Sequence, residues 1–273
     1  MDLRFERKAK MMRRRRALRV AVTVISILLA LVIAGVWIII EYHANEEPAQ
    51  TDASQPMIEK PEFGEQDVIR LLLILTDVDH ERFALVTADP AGTAVRVTAF
   101  APDAPLENGA TPRAVYRKSG AAAVAASIAA RLQLPSVHYF AMSGQSAVNW
   151  FNYLEKGIEI TLPQAVHADD SDGVLLRLEA GEQNLTATQT VGLLRYDGWN
   201  DPAAGTTVCA DIVVSMINRY FRSGRDLSGD FAALCNMTQT DLRIGDFSAA
   251  RERLEYLAAQ NTGMLCSCAP AVC

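Results

Sequence analysis

Acidic side chains cluster directly after the first strongly apolar segment of the chain. Asp77, Asp79, His80 and Glu81 lie within five consecutive positions shortly after the run Val68–Leu75. Carboxylate oxygens bind hard cations such as Mg²⁺, so the cluster is consistent with a divalent-cation site. A solvated acidic loop after a strand has the same composition. The residues by themselves leave both interpretations open.

Basic side chains at two later places are candidates for binding an anion. Arg113, Arg117 and Lys118 precede an alanine-rich segment. They would either supply positive charge around an anionic ligand or belong to an ordinary surface loop. Arg195 falls near the end of a predicted helix. A guanidinium group there either holds a phosphate or offsets the negative end of the helix dipole.

Common catalytic motifs are missing from the sequence. The chain contains no P-loop, no G-x-S-x-G and no H-E-x-x-H. Cys266, Cys268 and Cys273 crowd the last eight residues. They could bind a metal, but no histidine lies near them in the sequence. The sequence does not indicate how the five cysteines would pair.

Charge is distributed unevenly along the chain. The formal net charge is −6, yet residues 1–19 carry nine basic and two acidic side chains, which leaves −13 for residues 20–273. An acidic body repels the phosphates of nucleic acids. We therefore expect no nucleic-acid partner.

Residues 20–40 form an uncharged run that is long enough to cross a bilayer. At 1.5 Å per residue a helix of this length spans about 31 Å, against a hydrocarbon core of roughly 30 Å. The basic segment before it predicts a cytoplasmic N-terminus. The sequence thus predicts a single-pass protein of the cell membrane, with the lipid bilayer as a partner. Its predicted parts are a cytoplasmic basic segment (1–19), a transmembrane helix (20–40), a flexible linker (41–66), an extracytoplasmic domain (67–262) and a cysteine-containing tail (263–273).

Strand and helix patterns alternate along the predicted domain. Strands are expected at 68–75, 83–88, 94–100, 136–142 and 158–162, and helices at 119–132, after Ser143, and at 186–196, 206–221, 230–237 and 246–260. Residues 167–173 are expected to form an acidic loop. The last helix is expected to bury one stripe formed by Phe247, Ala250, Leu254 and Leu257. This order predicts an α/β fold in which helices sandwich a mixed β-sheet.

The order of these segments resembles the LytR-CpsA-Psr family of bacterial cell-envelope proteins. The similarity covers about Asp67 to Ala259. The most similar segment is LPSVHYFAMSGQSAVNWFNYLEKGIEITLP, and other similar segments are LLLILTDVDHERFALVTADP, VRVTAFAPDAPL, LTATQTVGLLRY and CNMTQTDLRIGDFSAARERLEYLA. The resemblance implies an ectodomain that transfers a glycopolymer phosphate from a polyprenyl pyrophosphate carrier to peptidoglycan. It also implies Mg²⁺ and phosphate-binding arginines.

Five positions of the family's site carry a matching or altered charged residue in this chain. The resemblance places Asp77 and Glu81 as Mg²⁺ ligands, Asp103 and Arg195 as catalytic residues, and Asp197 where the family has a second arginine. Arg195 would also bind the ligand, together with any replacement charge from Arg113, Arg117 and Lys118.

Several of the family's arginines have no counterpart here. Pro102 stands in place of one, and residues 204–210 contain none where the family has others. An acid in place of an arginine repels a pyrophosphate. We therefore expect a divergent member that binds a polyprenyl-linked ligand or an envelope partner, with weak or lost transferase activity. An active phosphotransferase and a non-catalytic structural or regulatory anchor are the alternatives.

Overall fold

The computed structural model describes residues 62–106, 109–154, 157–169, 175–260 and 266–268. The predicted transmembrane helix and most of the linker lie outside these residues. None of the helices in the described ranges combines the length and apolar character that a membrane span requires.

The strands are β1 (Ile69–Leu75), β2 (Arg82–Asp89), β3 (Ala94–Phe100), β4 (His138–Met142), β5 (Ile158–Leu162), β6 (Val166–Asp169), β7 (Leu175–Leu178), β8 (Gly181–Leu185), β9 (Gln239–Thr240) and β10 (Cys266–Cys268). The helices are α1 (Pro112–Arg131), α2 (Gly144–Tyr153), α3 (Ala187–Arg195), α4 (Pro202–Arg222), α5 (Leu227–Met237) and α6 (Ile244–Ala259).

Six strands form one mixed sheet in the order β10-β3-β2-β1-β4-β9. β1 and β4 are parallel, as are β3 and β10, and the other neighbours are antiparallel. This confirms the predicted α/β fold with a mixed sheet. Residues 266–268 of the predicted tail belong to the sheet, as its edge strand beside β3.

Helices cover both faces of this sheet because the central strands are apolar on both sides. On one face, Leu72 and Ile74 of β1 pack in a core with Val124 and Ile128 of α1. On the other face, apolar residues of β2 and β3 pack with α4. Successive side chains of a strand point to opposite faces, so the continuous apolar run of β1 contributes to both layers.

Helix α1 is longer than predicted and is interrupted at Gly120. It begins one residue after Thr111, whose hydroxyl accepts a hydrogen bond from the Ala114 N–H at 3.2 Å. Gly120 has φ 80° and ψ −175°, a conformation that glycine adopts without steric cost. The predicted basic loop before the alanine-rich segment is therefore the first part of this helix, and Arg113 and Arg117 lie one turn apart on it.

Two small antiparallel ladders stand beside the main sheet, β5 with β8 and β6 with β7. The prediction of a loop at residues 167–173 is wrong for its first part, since Val166–Asp169 is strand β6. Strand β6 is short, and its buried Val166 packs with Leu176 and Leu178 of the paired strand β7. Residues 170–174 lie outside the described ranges.

Candidate functional site

The acidic loop lies at the carboxyl ends of the parallel strands β1 and β4. The Thr76 N–H donates to the Met142 carbonyl oxygen at 2.9 Å, which holds the start of the loop against the end of β4. The Asp77 carboxylate accepts hydrogen bonds from the Gly144 N–H at 2.8 Å and from Arg195 Nε at 2.6 Å. Carboxyl ends of neighbouring parallel strands are a common place for binding sites in α/β folds. Asp77 thus links β1, the N-terminus of α2 and the C-terminus of α3.

Gly144 allows this link because it has no side chain. A Cβ at this position would collide with the carboxylate of Asp77 and the guanidinium group of Arg195. Both of these side chains are mostly enclosed, at 17% and 19% exposure. The first residue of α2 must therefore be small for the ion pair to form as it does.

Glu81 is the most deeply buried charged residue of the site, with 2% of its side chain exposed. Arg117 donates to both of its carboxylate oxygens, at 2.6 Å from Nε and 3.1 Å from Nη2. Arg113 Nε lies 3.2 Å from the same carboxylate, as an ion pair without hydrogen-bond geometry. Two guanidinium groups from α1 therefore neutralise one buried carboxylate.

The same two arginines also contact exposed acids. Arg117 Nη2 lies 2.8 Å from Asp79, and Arg113 Nη1 lies 3.0 Å from Asp103. The hydrogen bond and the charge of Arg117 lower the pKa of the Asp79 carboxyl group, and the hydrogen bonds that Arg117 donates to Glu81 and Asp79 raise its own pKa. Asp103, predicted to be catalytic, is thus the exposed partner of Arg113.

Arg82, which the sequence analysis did not single out, is part of the site. It is 8% exposed and donates from Nη2 to Asp197 at 2.6 Å and to the Tyr196 carbonyl oxygen at 3.3 Å. The other oxygen of Asp197 accepts from His80 Nδ1 at 2.9 Å. A charged residue directly before the apolar run Phe83–Val86, next to Glu81, was the signal that could have identified it.

Guanidinium groups surround the acidic loop, although several of the family's arginines have no counterpart in this chain. In the described residues four arginines surround the acidic loop, and each lies against at least one carboxylate. The arginines are Arg82, Arg113, Arg117 and Arg195, and the acids are Asp77, Asp79, Glu81, Asp103 and Asp197. Lys118 is exposed and makes no hydrogen bond or ion pair with the described residues. Arginines from other positions therefore surround the site at which the resemblance implied that phosphate-binding arginines are missing. The acids of the site outnumber these arginines by one.

The residues predicted to hold Mg²⁺ fit that ion only in part. Asp77 accepts one hydrogen bond on each oxygen, so further lone pairs remain for a cation. Glu81 does not fit, because a divalent cation at its carboxylate would meet the guanidinium groups of Arg113 and Arg117. Across the described ranges, no group of three or more His, Cys, Asp or Glu side chains is arranged to hold a metal ion. A Mg²⁺ ion bound by both acids stays a prediction.

An apolar cavity of about 300 Å³ lies beside this charged cluster. It follows β1 from Ile69 to Leu75 and is covered by residues of α4, α5 and α6. Arg82 lies in its wall, so the cavity meets the charged cluster there. The predicted buried stripe of α6 is confirmed only at Leu257, since Phe247, Ala250 and Leu254 are half-buried and line this cavity.

A second polar cluster contacts the same cavity from α5. Asp230 is buried and accepts hydrogen bonds from Arg225, at 2.9 and 3.1 Å, and from the Tyr153 hydroxyl at 2.8 Å. Burial alone would raise the pKa of Asp230, but the hydrogen bonds from Arg225, Tyr153 and Tyr220 outweigh it and leave that pKa lowered. The cluster attaches the N-terminal end of α5 to α2 and α4 at one side of the cavity.

Comparisons with known proteins place this fold among solved structures of bacterial proteins. No protein-family model and no curated protein matches the chain. A transcription regulator from Eubacterium siraeum is 19% identical, with a TM-score of 0.69 over 81% of this chain and 88% of that chain. TagV from B. subtilis is 14% identical, with a TM-score of 0.56 over 74% and 84% of the two chains. TagT bound to LI-WTA is also 14% identical, with a TM-score of 0.57 over 77% and 81%. The described chain therefore has a LytR-CpsA-Psr-like fold, as the order of its sequence segments predicted.

Proposed function

We propose that this protein binds a polyprenyl-linked phosphate or diphosphate at the membrane surface of a bacterial cell envelope, with weak or lost phosphotransferase activity. One observation carries the proposal, namely that an apolar cavity meets a cluster of arginines at Arg82. An amphiphilic ligand with an apolar chain and an anionic head matches both parts. The solved structure of TagT bound to LI-WTA supports a glycopolymer as the group that the anionic head carries.

The membrane position is part of the proposal. Residues 20–40 would anchor the chain, with the N-terminus in the cytoplasm and the described domain outside, close to a lipid that stays in the bilayer. Peptidoglycan would be the second partner if transfer survives. A purely structural anchor needs no open apolar cavity beside the site, so the cavity disfavours that alternative.

The charge pattern explains why we expect weak head-group binding. Every arginine of the cluster already faces a carboxylate, so an incoming phosphate must replace one acid or another. Asp79, Asp103 and Asp197 are 73%, 66% and 56% exposed and can turn into solvent. Asp77 and Glu81 are enclosed and cannot. When the head group binds, the arginines exchange hydrogen bonds to carboxylates for hydrogen bonds to phosphate, so the head group contributes little to the binding free energy.

The apolar chain of the ligand should then supply most of the affinity. Burying one methylene group contributes about 0.8 kcal/mol, so affinity should rise steeply with chain length until the cavity is filled. Magnesium ions, if used, would be held by Asp77 together with oxygens of the bound phosphates.

Binding of geranylgeranyl diphosphate to the full-length chain in phosphatidylcholine nanodiscs tests the proposal. Saturable binding is expected by calorimetry, and geranyl diphosphate should bind more weakly. Arg82→Gln removes a donor at the mouth of the cavity and leaves Asp197 without its guanidinium partner. The head group then meets an uncompensated negative charge, so binding should weaken about tenfold or more, as expected for the loss of a charged hydrogen bond of about 1.5–3 kcal/mol. Arg96→Gln, on an exposed position of β3, is the matched control. Absence of saturable binding, or equal affinities of the two variants, would refute the proposal.

An active phosphotransferase is the second candidate. It is favoured by His80, whose ring is hydrogen-bonded to Asp197 at the edge of the arginine cluster.

A further inference from the structure

The end of the predicted linker packs against helix α6. The rings of Phe63 and Tyr256 are in contact, with centroids 4.9 Å apart. Asp67 Oδ1 lies 2.9 Å from Arg253 Nη2, and the pair is mostly enclosed, since 15% of the aspartate side chain and 28% of the arginine side chain are exposed. The other carboxylate oxygen of Asp67 accepts a hydrogen bond from the Gly64 N–H at 2.9 Å, so the segment holds its own carboxylate in place for Arg253. We call this segment, residues 63–67, the clasp.

Helix α6 packs incompletely on the sheet because the apolar cavity lies beneath it. Phe247, Ala250 and Leu254 line the cavity and are only half-buried, and Leu257 is the one buried residue of this helix. A side chain that faces a void lacks the dispersion contacts that close packing supplies. The position of α6 over the cavity therefore depends strongly on contacts made outside its apolar face.

These contacts differ between the two ends of the helix. Just before α6, the Thr240 hydroxyl donates to the Tyr139 carbonyl oxygen at 2.6 Å, and Asp241 accepts from the Tyr139 N–H at 2.9 Å. Asp241 also lies 3.1 Å from His138 Nδ1, so the start of the helix is fixed to β4. The second half of α6 is held by Leu257 in the core and by the clasp.

We infer that α6 is a lid over the apolar cavity, that it pivots at its β4 end, and that the clasp holds it shut. Access to the cavity then depends on a segment that belongs to the predicted linker. The inference goes beyond the proposed function and rests only on the cavity and on the contacts of α6. Release of the ion pair between Asp67 and Arg253 should raise the population in which α6 lies away from the cavity.

Cys209 can report on the opening of this lid. It belongs to α4, is 4% exposed and lines the cavity. Burial raises the pKa of its thiol to about 11, and the thiolate is the form that reacts with a maleimide. Cys209 should therefore react slowly while α6 covers the cavity and faster when α6 moves away.

The test is labelling of the full-length chain with N-ethylmaleimide in phosphatidylcholine nanodiscs at neutral pH, with the rate at Cys209 measured by peptide mass spectrometry. Asp67→Asn keeps an oxygen for the Gly64 N–H but removes the charge that faces Arg253. It should raise the rate about tenfold, between the effects of an exposed ion pair and of an enclosed charged hydrogen bond. Arg253→Gln should have the same effect, and the double variant should label no faster than either single variant, because both changes remove one interaction.

A second ion pair of the same helix supplies a matched control. Arg251 lies 2.6 Å from Glu255, and about half of each side chain is exposed. Arg251→Gln removes this pair and leaves the clasp intact. The rate at Cys209 should therefore equal that of the wild type.

Backbone hydrogen exchange of the same proteins shows whether only the lid moves. In Asp67→Asn, exchange should be faster in α6 and unchanged in the ladder of β5 and β8, whose core cluster contains no residue of α6 among the described residues. Three results would overturn the inference: wild-type Cys209 reacts as fast as free cysteine, Asp67→Asn and Arg251→Gln label at equal rates, or exchange rises equally in α6 and in the ladder. None of these measurements uses a lipid diphosphate, so the inference and the proposed function can fail separately.

Discussion

Replacing Glu81 by glutamine tests whether the site depends on a buried ion pair. The substitution keeps the size of the side chain and removes the charge that Arg117 and Arg113 neutralise. Arg117 donates two hydrogen bonds to this carboxylate, and a hydrogen bond to a charged group contributes about 1.5–3 kcal/mol. Arg117 is 43% exposed, so water screens part of this energy.

We therefore expect Glu81→Gln to lower the free energy of unfolding by about 3 kcal/mol. For a domain of this size, that loss lowers Tm by roughly 6–12 °C. Thermal unfolding of the full-length variant, followed by circular dichroism, measures it. Glu159→Gln is the control, because Glu159 is 73% exposed and lies 3.7 Å from Arg219. Its Tm should stay within about 2 °C of the wild type, since exposed ion pairs contribute less than about 1 kcal/mol.

Equal Tm values for the two variants would refute the ion-pair interpretation. Addition of Mg²⁺ separates it from the metal-site prediction. If Glu81 binds Mg²⁺, the ion should raise Tm of the wild type but not of Glu81→Gln, because ligand binding stabilises only the form that binds. If the carboxylate is neutralised by arginines, Mg²⁺ should affect both proteins equally.

Two further substitutions test other contacts of the site and the cavity. Gly144→Ala should lower the free energy of unfolding by about 1–3 kcal/mol, because the new methyl group displaces the pair formed by Asp77 and Arg195. Gly245→Ala is the control, because its Cβ has open space around it, and it should raise Tm slightly through helix propensity. Equal Tm shifts of the two variants would contradict the steric argument. Asp230→Asn should lower the free energy of unfolding by about 2 kcal/mol at pH 7. Because the folded-state pKa of Asp230 is lowered, its contribution is fully present above the unfolded pKa and is lost as pH falls through the folded pKa. The Tm difference from wild type should therefore be constant from neutral pH down to about 4 and shrink progressively as the pH falls further towards the folded-state pKa.

Local patterns predicted most of the elements of the described domain. The apolar run of β1 and the alternation in β3 were confirmed, because the burial of each strand follows from its own residues. The capping box of Thr186 and Gln189 was confirmed at the start of α3. The prediction missed strands such as β8, Gly181–Leu185, in which Leu185 alone is buried. That strand is stabilised by pairing with β5, and such pairing leaves almost no periodic signal.

The charged site was predictable in its residues but not in its pairing. Asp77, Glu81, Arg113, Arg117 and Arg195 were candidates from their types and from the family resemblance, and the structure brings all of them together. Which acid meets which arginine depends on contacts between positions that are 10 to 118 residues apart. No local pattern carries such information.

The apolar strands, the helix caps and the uncharged run after the basic N-terminus can be predicted from local patterns, because each depends on neighbouring residues. The convergence of arginines from β2, α1 and α3 on one acidic loop beside an apolar cavity is visible only in the folded domain. A charge is stabilised by the groups within a few ångströms of it, and folding sets those neighbours independently of their distance along the chain.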